Sequence, residues 1–147
     1  MPKEFKKRRS GNMSKSANEI ALQILNESHY GIMATNNGGM PNSRYMTFLY
    51  FQNKLYTAAK QNSAVVNEIN RNASTHILLG YEKDDILETF LEIEGDAQTT
   101  LNDVVEQEWL KVYPDNDEQE YEVIQVTPTR MRIMNKNGKN QQDVHFV

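Results

Sequence analysis

The sequence predicts an α+β domain, mainly β, built as a small six-stranded antiparallel barrel with two to three short helices. Three observations predict it. Six segments read as strands, and most are joined by tight turns, which favours antiparallel pairing. Two or three other segments repeat apolar residues at helical spacing. A length of 147 residues suits one domain, and closing the sheet removes its exposed edges.

The first helix starts near Ser16, which with Glu19 has the spacing of a capping box. Ala17, Ile20, Ala21, Ile24 and Leu25 give it one apolar face, and Asn26 to Ser28 end it. His29 to Thr35 reads as a strand. Asn36 to Gly39 is a turn, because Asn and Gly tolerate positive φ. A long strand follows from about Ser43 to Phe51, then a turn at Gln52 and Asn53, then a short strand from Lys54 to Thr57. Ser63 suits the cap of a second helix at 64–71, with Val65, Val66 and Ile69 as its apolar stripe. Strands are predicted at 73–82 and 87–98, with a turn at Lys83 to Asp85 between them. In the second of these, Leu91 and Ile93 face one way and Glu92 and Glu94 the other. Thr100 suits the cap of a third helix carrying Leu101, Val104, Val105, Trp109 and Val112, stopped by Pro114. The acidic stretch 115–122 reads as a solvated loop. The last strand spans about Tyr121 to Met134, with an interruption near Pro128. Residues 1–14 read as a flexible basic leader, 15–135 as the domain, and 136–147 as a polar, loose C-terminal tail.

Composition excludes several functions. There are no cysteines, hence no disulfide framework, thiolate nucleophile or Cys-ligated metal. No apolar run approaches the roughly 20 residues of a membrane helix, so the expectation is a soluble, cytoplasmic protein. Mean hydropathy is −0.72, yet 7 Tyr and 5 Phe supply core material. Charge is uneven. Lys3, Lys6, Lys7, Arg8, Arg9 and Lys15 against Glu4 make the start basic, within a chain of net charge −4. Such a run suits nucleic acid or an acidic surface, but with an acidic body and little aromatic interleaving it reads first as a solubilising tail.

The usual catalytic sets are missing. His29, His76 and His145 have no metal-ligand spacing, and His29 and His76 read as structural. There is no G-x-S-x-G, no P-loop and no G-x-G-x-x-G. What remains is a set of phosphate-compatible groups. Arg44 opens the long strand, and Thr57, Lys60 and Ser63 lie between the third strand and the second helix. Arg offers a rigid fork to phosphate oxygens, Lys a point charge, Ser and Thr a hydroxyl, and a helix start adds free N–H groups. Tyr45, Met46, Thr47 and Phe48 offer strand backbone and apolar surface to a flat ring. Arg44 equally suits a surface salt bridge, and Ser63 a plain N-cap.

The order of these pieces resembles the pyridoxamine 5′-phosphate oxidase-like FMN-binding split barrels, in particular their general stress protein branch. Gly31 to Thr35, the glycine turn and Met40-Pro41-Asn42-Ser43-Arg44-Tyr45-Met46 are similar to the G-x-P-x-x-R-x-M region. Leu55-Tyr56-Thr57 resembles the strand ending in a phosphate-contacting Thr, and Ser63 to Ile69 the S-x-K-x-x-x-I helix start. Glu94 to Ala97, Trp109 and Pro128 to Met134 resemble the G-x-A strand end, the helix Trp and the closing P-x-R-x-x-x-W strand. The resemblance covers about residues 16–135. It implies a six-stranded Greek-key split barrel and a homodimer with FMN at the subunit interface. It also implies an FMN-dependent oxidoreductase of unknown substrate, with flavin chemistry supplied by the cofactor. Arg44, Thr57, Lys60 and Ser63 would face the FMN phosphate, and Tyr45, Met46 and Thr47 would line the isoalloxazine through strand backbone. Three departures stand out. Val65 replaces the family Lys, with Lys60 as its possible substitute, and Met134 replaces the closing Trp. The end at Gln141 to Val147 lacks the oxidases' substrate segment, so oxidation of pyridoxamine phosphate itself is not expected. A non-catalytic flavin-binding stress protein, a flavin-free dimeric interaction module, and a deazaflavin or haem in place of FMN are the alternatives.

Overall fold

The computed structural model describes residues 16–80, 89–114, 120–135 and 141–145. The basic leader, the turn at Lys83 to Asp85 and most of the acidic loop lie outside them. The elements run α1 (Ala17–Glu27), β1 (Tyr30–Asn37), β2 (Met40–Phe51), β3 (Lys54–Lys60), α2 (Ala64–Arg71), β4 (Ser74–Leu79), β5 (Thr89–Thr100), α3 (Asp103–Val112), β6 (Tyr121–Asn135) and β7 (Gln142–Val144). Among the described residues no helix is long and apolar enough to cross a membrane.

The strand order is β3-β2-β1-β4-β5-β6-β7, and a further pairing of β3 with β6 closes six strands into an antiparallel barrel. Both hairpin turns follow from local chemistry. Gly38 and Gly39 take φ of 61° and 95°, and the Gly39 N–H donates to Asn36 Oδ1 at 2.6 Å. Gln52 and Asn53 are also left-handed, at 51° and 64°, in the two-residue turn that matches strand twist. Gly31 has a packing reason. A Cβ there would sit 2.6 Å from the Leu78 carbonyl oxygen and 2.6 Å from Leu79 Cδ2. The predicted interruption near Pro128 is a register shift between Glu94 and Gly95. Thr129 is the residue left over there, and its hydroxyl donates to the Glu94 carbonyl at 3.1 Å.

Inward residues of the strands form the core, including Met33, Phe48, Leu55, Ile77, Leu91, Ile93 and Ile124. α1 adds Ala21, Ile24 and Leu25, and α2 adds Val65, Val66 and Ile69. The capping box of α1 forms in both directions between Ser16 and Glu19. α3 packs outside, where Val105 meets Tyr56 and Val123. Its cap is Asn102, which accepts from Val104 N and Val105 N, whereas Thr100 was the expected cap and ends β5 instead. Leu101 consequently lies outside the helix and is exposed, and only Val105 and Trp109 of the expected apolar face are buried. The tail expected to be loose contains β7, which pairs Gln142 to Val144 with Met131 to Ile133. The Asn18 side chain pins the following residue by two hydrogen bonds with the backbone of His145.

Candidate functional site

Strand alternation decides which site residues face each other. On β2, Asn42, Arg44, Met46 and Phe48 turn inward, while Ser43 and Tyr45 turn outward. On β1, Gly31, Met33 and Thr35 are the buried set. The register places Arg44 opposite Met33 and Asn42 opposite Thr35. Two polar residues of β2 and one of β1 therefore meet beneath α2, which packs on β1, β3 and β5.

α2 delivers Glu68 into that group. Its side chain is 4% exposed. It accepts from the Thr35 hydroxyl at 2.5 Å, from Asn42 Nδ2 at 3.0 Å and from Arg44 Nη2 at 3.1 Å. Arg44 Nη1 also donates to Thr35 Oγ1 at 2.6 Å and to the Met33 carbonyl at 3.5 Å. The hydrogen bond from Thr35 lowers the Glu68 pKa most. Burial pushes the other way, and Asn42 and Arg44 bring the net shift below the ordinary carboxylate range. Arg44 is 22% exposed, and among the described residues its Nε–H has no partner.

The β3–α2 corner gathers the other predicted phosphate groups. Thr57 is fully buried and its hydroxyl donates to the Thr47 carbonyl at 2.6 Å. Lys60 ends β3 and is exposed, and its carbonyl accepts from Ser63 N at 3.2 Å. Ser63 caps α2 by position but makes no side-chain cap bond. Its hydroxyl is buried without a partner among the described residues. Val65, at the family's Lys position, is 6% exposed and belongs to the core. Tyr45 stands apart from this corner at 82% exposure, while Met46 packs against the core. The two side chains point to opposite faces of β2, so one flat ring meets at most one of them, although their backbone remains common to both faces.

Reading the sequence left out Glu68, Thr35 and Asn42. One signal was present: Glu68 falls on the face of α2 marked by Val65 and Ile69, where a carboxylate must find partners.

A second polar group spans the outer face of β4, β5 and β6. Cross-strand register sets His76 opposite Glu94 and Glu92 opposite Arg132. One donor atom each from His76, Glu92 and Glu94 lies within 4.8 Å of the others, a closeness the sequence spacing hides. His76 Nε2 is 2.9 Å from Glu92 Oε2, Arg132 Nε donates to Glu92 Oε1 at 2.6 Å, and Arg130 lies 3.9 Å from Glu94. The positive charge a cation would bring is thus already supplied by two guanidinium groups. Burial raises the Glu92 pKa, but hydrogen bonds from Arg132 and His76 outweigh it, and the net shift is downward.

Glu68 and Glu92 both carry depressed pKa values. Their contribution to stability is present above the unfolded carboxylate value of about 4.3 and is lost as pH falls through the folded values. The melting temperature should be flat from pH 7 to about 5 and drop below about 4.5. Glu92→Gln should shallow that drop; an unchanged acid limb in thermal unfolding would show that Glu92 contributes nothing to it.

The comparisons agree with this architecture. Residues 18–135 match the family described as pyridoxamine 5′-phosphate oxidase. General stress protein 26 of Bacillus subtilis is 30% identical over 123 residues, covering 80% of this chain and 88% of that protein. A Listeria innocua protein described as a candidate pyridoxamine 5′-phosphate oxidase superposes with a TM-score of 0.70 at 30% identity, covering 80% of this chain and 98% of that one. General stress protein 26 of Bacillus anthracis shares the fold, with a TM-score of 0.69 at 21% identity over 84% of this chain and 95% of its own. On the match across 18–135, and on a relative at 30% identity, the chain belongs to the pyridoxamine 5′-phosphate oxidase family.

Proposed function

We propose that this protein binds FMN and works as a flavin-dependent oxidoreductase. The observation that carries the reading is the β3–α2 corner. A buried Ser63 hydroxyl with no partner among the described residues sits at a helix start that has no side-chain cap bond, next to the exposed Lys60. A phosphate would satisfy that hydroxyl and the free N–H groups of the first turn together. Arg44 would add its Nε edge. Thr57 would act from behind, fixing the β2 backbone at Thr47 through its hydrogen bond. Tyr45, Met46 and Thr47 would present strand backbone to the ring. Bound flavin supplies hydride or electron transfer, and the chain supplies position and electrostatics. None of the residues at this corner has the features of a dedicated acid or base, which suits that division.

The exposed Tyr30 and Tyr45, on the outward face of β1 and β2, support a homodimer across that face, since exposed aromatic side chains suit an interface. A second reading is a barrel that has given up flavin. The burial of Val65 favours it, because one phosphate-binding cation is absent.

The test is a visible absorption spectrum of the purified protein, followed by FMN titration. Oxidised-flavin bands, or saturable binding near one FMN per chain, are the expected result. No binding at high FMN would favour the second reading. Turnover with a reduced nicotinamide and an electron acceptor would then separate an oxidoreductase from a non-catalytic flavin carrier.

A further inference from the structure

We propose that Glu68 acts as a brake on phosphate binding, because its carboxylate competes with the ligand for Arg44. The natural ligand in this inference rests on the flavin reading above. The competition itself rests on side chains already described.

Arg44 sits in a closed circuit. Its Nη1 is held by Thr35 and Met33, and its Nη2 by Glu68. Glu68 is held in turn by Thr35 and Asn42. The carboxylate therefore cannot move aside without abandoning three donors. The cluster carries one positive and one negative charge, so an arriving phosphate meets a neutral pair rather than a free guanidinium. At 4% side-chain exposure, Glu68 is little hydrated, and its repulsion of a second anion is poorly screened. Hydrogen bonding keeps it ionised at neutral pH. Phosphate gains only the unused edge of Arg44, against a fixed carboxylate 3.1 Å from Nη2.

One consequence concerns ligand choice. The wild-type site should distinguish FMN from riboflavin less sharply than an Arg44 unopposed by Glu68 would allow. Removing the charge of Glu68 should restore the distinction. Retention of FMN would then be set by a residue of α2 that need not touch it.

The test measures affinities of FMN, riboflavin and inorganic phosphate in wild type, Glu68→Gln and Glu68→Asp. Flavins are followed by fluorescence quenching, and phosphate by the Arg44 Nε–H resonance. Glu68→Gln is expected to tighten FMN and phosphate about tenfold, the scale of one charge-assisted hydrogen bond returned to the guanidinium, and to leave riboflavin unchanged. Glu68→Asp, which keeps the charge, should stay near wild type. Unchanged or weaker FMN binding in Glu68→Gln would overturn the proposal, as would equal tightening of FMN and riboflavin. If no variant binds either flavin, the flavin reading falls, and the phosphate series decides on its own. Tighter phosphate in Glu68→Gln upholds the brake, and equal phosphate overturns it. Glu68→Met replaces Glu68→Gln if the latter does not fold. Collapse of both would make Glu68 a structural keystone and overturn the proposal.

Discussion

Arg44→Ala should lose both stability and FMN. The stability loss is expected at about 3 kcal/mol, near the low end for removing one partner of a buried ion pair. The low end applies because Thr35 and Asn42 still donate to Glu68 when the guanidinium is gone. The loss comes less from a missing attraction than from a buried carboxylate left under-compensated. It should therefore shrink when Glu68 is neutralised as well. In urea unfolding, Arg44→Ala combined with Glu68→Gln should be more stable than Arg44→Ala alone. Strict additivity of the two changes would show that the pair is uncoupled. In the folded fraction, FMN affinity should fall by about 1.5–3 kcal/mol, the range for a hydrogen bond to a charged group. An unchanged FMN titration would mean that the phosphate lies elsewhere.

Trp109→Ala is expected to cost about 3–5 kcal/mol, the usual range for emptying a large buried aromatic site. Trp109 is fully buried and heads the large buried side chains of the chain. It packs against Tyr113 with ring centroids 4.5 Å apart and planes tilted by 41°, and the Tyr113 hydroxyl donates to the Phe48 carbonyl at 2.6 Å. Losing the indole would loosen the C-terminal end of α3 and, through Tyr113, its tie to β2. Trp109→Phe should be much milder. It keeps a ring and removes an indole N–H that has no partner among the described residues, which offsets part of the lost volume. Urea midpoints of the two variants check this. A Phe variant as unstable as the Ala one would mean that the shape of the indole is what matters.

Most of the barrel was legible because its signals are local. Gly38, Gly39 and Asn53 mark turns whose left-handed backbone angles suit them. Leu91 and Ile93 alternate with Glu92 and Glu94 as a half-buried strand must. The misses share a different cause. β7 is three residues long with Val144 as its one apolar residue, and only its pairing with Met131 to Ile133 makes it a strand. The start of α3 moved from Thr100 to Asn102 because β5 continues its ladder to Thr100, opposite Val123. At the candidate site, the residue types were readable and their commitments were not. Arg44 looked available because Glu68 is distant in sequence and enters from another element. The opposite directions of Tyr45 and Met46 could have been read, since neighbours on a strand always diverge. The company of His76 could not, because two cross-strand registers create it.

The seam between β3 and β6 also governs how fast the chain can reach this structure. It joins Leu55 to Val126 and Lys60 to Tyr121, residues nearly half the chain apart. The two hairpins from β1 to β3 can zip from their turns, because their partners are neighbours in sequence. The seam has no such shortcut, and its entropy must be met before its contacts reward it. Barrels ruled by such distant pairings fold in about milliseconds to seconds, far slower than helical bundles. Until the seam closes, β3 and β6 are open edges, and the β3–α2 corner lacks one wall of its barrel. A phosphate-bearing ligand that needs that corner complete would bind only after the slowest step, and so would stabilise the finished barrel rather than guide its assembly.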